Sequence, residues 1–317
     1  MQNEVPLLLS RRFMLASTMG SASALLITTP CTTFAQTGPQ SASSQGTNSA
    51  SRGIGPDLQW LEANGTILRY QLVGSDHPTV VLIHEMTSGL ETWDEILPEV
   101  ARGRRVLRYD LRGVGRSERI RGTITYEDHA KDLLALLDAL QLTRPVVLVG
   151  SALGAAVGVQ FAATYPDRVK SFVALSPAIS LVPRPEFLSI VNKIQEIGLR
   201  AYMDNWTEDI YPRSIRTNKE RWARYRGMEL SCDQESIIAL IRMLAAAGFK
   251  DLLPKVKCPA LVVHTSLWSR PEAEIRKLSE LMPAGQFTVA EAGHYSALES
   301  PEAIVPVLMR FLDQNSG

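Results

Sequence analysis

Val146-Val147-Leu148-Val149-Gly150-Ser151-Ala152-Leu153-Gly154-Ala155-Ala156 is the stretch that decides how this chain folds. Its first four residues are apolar and mostly β-branched, as a strand covered on both faces requires. Small helix-compatible residues follow. Gly150 and Gly154 frame the change from one to the other, so the chain turns from strand to helix in a space with almost no room for side chains. Ala152 stands midway, at the tip of that turn.

Working outward, strands and helical patterns alternate. Apolar β-branched runs predict strands at residues 79–83, 105–109, 145–149, 172–175 and 260–263. Residues 58–61 and 67–73 flank Asn64-Gly65, a type I′ hairpin signal. Residues 126–140 form the clearest helix, with Leu133, Leu134, Leu136, Leu137 and Leu140 forming an apolar face. Such alternation implies an α/β class, a mostly parallel sheet flanked by helices. It breaks at residues 179–253, which read as helical segments with no convincing strand and carry Trp206, Tyr211, Trp222 and Tyr225. We expect a core of residues 55–178 and 254–317, with 179–253 as a helical cap over the carboxyl edge of the sheet, where open α/β folds bind ligands.

Residues 1–35 read as an export signal rather than fold. Arg11-Arg12 precede an uncharged stretch rich in Ala, Ser, Leu and Thr, and Thr33-Phe34-Ala35 offers a small-x-small cleavage site. The stretch has too many hydroxyls for a good membrane span. The twin-arginine pattern predicts cleavage near Gln36, a periplasmic or secreted product and no stable membrane anchor after processing. Residues 36–54 are Ser-, Gln- and Gly-rich and read as a flexible leader.

Lys+Arg and Asp+Glu both number 33, so the formal net charge is zero, which argues against a nucleic-acid partner. A hydrophobic content of 45% is that of a folded domain, not of an acidic disordered protein. The three cysteines, Cys31, Cys232 and Cys258, include no CxxC pair, so no metal site is expected. After loss of Cys31, the other two either pair or remain separate thiols.

Three further motifs fall in order around the central stretch. They are Leu82-Ile83-His84-Glu85-Met86, Asp110-Leu111-Arg112-Gly113-Val114-Gly115-Arg116-Ser117 and Glu291-Ala292-Gly293-His294-Tyr295, with Glu299 and Pro301 downstream. Together with the strand–turn–helix stretch they resemble the α/β-hydrolase family over roughly residues 57–314. The layout is most similar to small esterases and 3-oxoadipate enol-lactonase-like hydrolases. The resemblance implies an α/β-hydrolase fold with a helical cap. It also implies hydrolysis of a small ester, lactone or related acyl substrate without a cofactor. It makes His294 the catalytic histidine, and the N–H groups of Met86 and Leu153 the oxyanion hole. The Asp110 loop reads as a structural turn.

The chain departs from the family twice. Ala152 occupies the nucleophile position, and a methyl group has no lone pair with which to attack. Making Ser151 the nucleophile would put Val149 and Leu153 at the crowded positions of the turn. The family's acid is also missing, because Leu175-Ser176-Pro177-Ala178 and His264-Thr265-Ser266-Leu267-Trp268-Ser269 contain no carboxylate. Glu85, standing where the family has glycine, is the remaining candidate, either to orient His294 or to act as a base. The triad is therefore degenerate. The alternatives are a non-hydrolytic enzyme using His294, or a small-molecule-binding protein without turnover.

Overall fold

The computed structural model describes residues 57–205 and 213–315. The expected export signal and leader, with Cys31, Trp206 and Tyr211, lie outside the described residues. Eight strands form one sheet: β1 (Gln59–Ala63), β2 (Thr66–Val73), β3 (Thr79–Ile83), β4 (Arg105–Tyr109), β5 (Val146–Ser151), β6 (Val169–Leu175), β7 (Ala260–Thr265) and β8 (Gly285–Ala290). Their order is β1-β2-β4-β3-β5-β6-β7-β8. The β1–β2 and β2–β4 pairs are antiparallel and all others parallel. Asn64 and Gly65 join β1 to β2 with φ of 51° and 68°, as the predicted type I′ turn requires.

The helices are α1 (Leu97–Val100), α2 (Tyr126–Ala139), α3 (Leu153–Thr164), α4 (Leu188–Ile197), α5 (Leu199–Asp204), α6 (Arg213–Thr217), α7 (Lys219–Leu230), α8 (Gln234–Ala246), α9 (Glu272–Glu280), α10 (Ser296–Glu299) and α11 (Pro301–Gln314). Every residue of β5 is buried. Leu148 belongs to the apolar layer shared with α2 and α3, whereas Val147 and Val149 belong to the layer shared with α11. Coverage on both faces explains why β5 is an apolar run and not an alternating one. α2 begins at a capping box in which Thr125 and Asp128 satisfy each other's backbone N–H.

Between β6 and β7 the described residues contain helices and no strand. Arg221 on α7 clamps this segment to the core, pairing with Glu95 at 2.7 Å and donating to the Glu299 carbonyl at 3.0 Å. The sequence reading missed β8. That edge strand is largely half-buried or exposed, so its residues carry no continuous apolar run. Cys232 and Cys258 are free thiols, and burial pushes them up to about 12 and about 11. No described helix is long and apolar enough to cross a membrane.

Candidate active site

The turn at the carboxyl end of β5 is as tight as its glycines imply. A Cβ on Gly150 would lie 2.3 Å from the Gly154 carbonyl oxygen, and one on Gly154 would lie 2.0 Å from the Ile83 carbonyl oxygen. Ala152 at the tip has φ 48° and ψ −106°. A side chain in that region costs about 1–3 kcal/mol and is retained where it serves a site. Backbone bonds fix the turn: Ala152 N–H donates to the Leu175 carbonyl at 3.0 Å, and its own carbonyl accepts from Ala178 at 3.2 Å. Ser151 is buried, with its hydroxyl unpartnered, and does not reach the cavity described below. The Ser151 alternative therefore has no hydroxyl at this cavity.

The loop after β3 is held by His84. Its Nε2 accepts from Leu111 N–H at 3.0 Å, so Nδ1 carries the proton and donates to the Glu85 carbonyl at 2.6 Å. The Met86 N–H, on the far side of that planar peptide, points the other way. Met86 and Leu153 both border the cavity beside Ala152, and neither N–H is engaged in a backbone hydrogen bond among the described residues. The Asp110 loop is structural. Its carboxylate accepts from Leu90 N–H at 2.7 Å and Arg116 N–H at 2.8 Å, with Arg69 at 3.2 Å. Burial raises the Asp110 pKa, while His84 and Arg69 oppose the rise.

A cavity of about 850 Å³ opens above the turn. Ala152, Glu85, Met86, Leu153, His294 and Trp268 border it on the core side, and α4, α5 and α8 supply the wall opposite. Trp268 lies against His294, with centroids 4.5 Å apart and planes inclined by 36°. Tyr295 meets the other side of the imidazole edge-on at 5.1 Å. The Tyr295 hydroxyl bonds Thr87 at 2.9 Å, and Thr87 bonds Tyr225 of α7 at 3.1 Å, tying cavity, cap and core together. Trp268 was passed over in the sequence because nothing in its spacing marks it as a neighbour of His294.

His294 has no acid. Its Nδ1 is buried without a partner, and burial, assisted by the charge of Arg270, pushes its pKa down to about 4. At the ends of β6 and β7, where the sequence resemblance implies an acid, the chain presents hydroxyls. Ser176 Oγ lies 2.9 Å from Thr265 Oγ1 and 3.4 Å from Ser296 Oγ. Glu85 does not orient His294 either: no hydrogen bond joins them, and Thr92 donates to the Glu85 carboxylate at 2.8 Å. A second acidic residue, which the sequence reading noted but gave no role, lies close by. Glu299 accepts from Tyr295 N–H at 3.2 Å, and its other oxygen is buried and unpartnered. Burial pushes Glu299 up to about 8; backbone N–H groups of Tyr295 and Gly293 oppose the rise, and the charge of Glu85 adds to it.

Buried histidines and a buried acid act in opposite directions on how stability depends on pH. His129 on α2 is enclosed with both ring nitrogens unpartnered, and burial pushes it down to about 3. Both His129 and His294 protonate more readily in the unfolded chain, whose histidines titrate near 6.5. Their neutral burial is therefore fully compatible with folding above that pH and is penalised progressively as pH falls from 6.5 towards 4 and 3. Glu299 works in the opposite direction, because its buried carboxyl opposes folding when ionised and that penalty is relieved as the pH falls below about 8. The Tm is therefore expected to drop by only about 5 °C from pH 7 to pH 4.5. A calorimetric pH series checks this, and His129→Leu should flatten it.

The family model for the α/β hydrolase fold matches residues 78–221. The chain is 28% identical to a putative carbamate hydrolase RutD of Stutzerimonas stutzeri, across 79% of this chain and 98% of that protein. It is 27% identical to a 2-hydroxy-6-oxo-2,4-heptadienoate hydrolase of Pseudomonas putida, across 76% and 90%. Among solved structures, it matches the thermophilic esterase from Thermogutta terrifontis with a TM-score of 0.74 and 26% identity, over 82% of this chain and 100% of that one. The enol-lactonase from Burkholderia xenovorans matches with a TM-score of 0.75 and 26% identity, over 80% and 100%. Sheet order, strand-to-helix elbow, histidine loop and these likenesses agree, and the chain has the α/β-hydrolase fold.

Proposed function

We propose that the protein hydrolyses a small ester, lactone or related acyl compound, and that water takes the place of the missing serine oxygen. The observation that carries this reading is the elbow itself. It has a strained residue at its tip and two glycines that admit no side chain, yet presents a methyl group to a cavity bordered by Glu85 and His294. Hydrolases of esters, lactones and carbamates among its relatives support the substrate class.

The roles follow from the charges. An imidazole with a pKa near 4 and no acid on Nδ1 is a poor place to store a proton. Glu85 is the general base: it takes one proton from water as the water oxygen bonds to the carbonyl carbon. The N–H groups of Met86 and Leu153 receive the oxyanion. Collapse breaks the bond to the leaving oxygen, which recovers the proton from Glu85, so one water is consumed and acid plus alcohol leave. His294, neutral, hydrogen-bonds the attacking water and holds it in line. A turnover screen on aryl esters and lactones tests the reading. Glu85→Gln and His294→Ala should each lower kcat/KM about a hundredfold or more. Unchanged turnover in both would remove the proposal.

The reading includes export through the twin-arginine signal, on the strength of Arg11-Arg12 and Thr33-Phe34-Ala35. N-terminal sequencing of the mature protein should begin near Gln36, and an intact Met1 would contradict it.

A further inference from the structure

Resting on that hydrolytic reading, we propose that the acyl substrate is uncharged and bears a medium-length aliphatic chain, which lies along the cap side of the cavity. Two independent features carry this. The first is the wall. Ile190, Ile194 and Ile197 on α4 follow one another at intervals of four and three, so they share a helical face. Ile237, Ile241 and Leu244 do the same on α8. The two helices pack together and present six aliphatic side chains to a space of about 850 Å³. An acetyl or propionyl group would leave most of that wall uncovered.

The second feature is the state of the cations that border the cavity, Arg184, Lys193 and Arg270. Each already faces a glutamate a few residues along its own chain. Arg184 bonds Glu186 and lies over the Phe187 ring. Lys193 pairs with Glu196 at 3.0 Å. Arg270 pairs with Glu274 at 3.3 Å and directs its remaining nitrogens to the carbonyls of Pro177 and Ile179. Each cation is offset by the glutamate beside it, so the rim offers little net positive charge to a substrate carboxylate. At the reacting end it would instead meet Glu85, a like charge. The site is built to receive a chain, not an anion.

The probes are p-nitrophenyl acetate, butanoate and octanoate, with mono-p-nitrophenyl suberate as the octanoate analogue ending in a carboxylate. Each methylene buried on binding is worth about fourfold in kcat/KM. Octanoate should exceed acetate by at least about tenfold, and suberate should fall at least about tenfold below octanoate. Ile190→Trp and Leu244→Trp, at half-buried wall positions, should each lower the octanoate-to-acetate ratio. Calorimetric titration with 2-decanone, 2-butanone and 9-oxodecanoate separates this proposal from the hydrolytic one, since it needs no turnover. Should no ester be hydrolysed while 2-decanone binds well above both other ligands, the chain preference stands and the hydrolytic reading fails. Equal binding of 2-decanone and 2-butanone, or tighter binding of 9-oxodecanoate, overturns the preference even in an active hydrolase.

Discussion

Gly154→Ala is expected to destabilise the protein by about 3 kcal/mol or more, lowering its Tm by roughly 10 °C or preventing folding outright. The added methyl would sit 2.0 Å from the Ile83 carbonyl oxygen, a backbone atom in the sheet beside β5. No rotamer relieves that contact; β3 or α3 must shift. Gly227→Ala is the control. Nothing lies within 4 Å of a Cβ there, and the residue is inside α7, so the change should stabilise by about 0.5–1 kcal/mol. Thermal melts of the two variants beside the parent decide it. Equal Tm values for Gly154→Ala and the parent would show that the elbow is looser than described.

Ala152→Ser is the second change with a large effect, and its direction separates two accounts of the site. If the chain were a hydrolase lacking only its nucleophile, the new hydroxyl would restore ester hydrolysis in part. In the structure, the lone change is not enough. His294 Nδ1 has no partner, so the imidazolium that a serine mechanism forms would be left uncompensated in a buried place. The hydroxyl would also take the space proposed for the attacking water. Turnover is therefore expected to fall about tenfold or more. A rise above the parent would favour the lost-nucleophile account.

The elements that the sequence announces are those in which one residue type admits one explanation. Asn64-Gly65 requires the hairpin, the all-apolar β5 requires cover on both faces, and Gly150 and Gly154 require the elbow. Ala152 and His294 border one cavity. What the sequence hides is pairing between distant segments. β8 is half-exposed and shows no pattern, and Trp268 meets His294 only because the loop after β7 folds over the histidine loop. Glu85 stands out in the sequence as a departure from family habit, but only the fold shows that Thr92, not His294, holds it. Glu299 could be recognised as a buried acid only once α10 was seen packed against the loop that carries Glu85 and Thr92.

The account rests on hydrolysis without a covalent intermediate, and the mass of the protein during turnover tests that directly. Acid-quenching the enzyme while it turns over a p-nitrophenyl ester in excess, and weighing the intact chain, should return the unmodified mass at every time point. A fraction of chains heavier by the acyl group would reveal an acyl-enzyme and contradict attack by water.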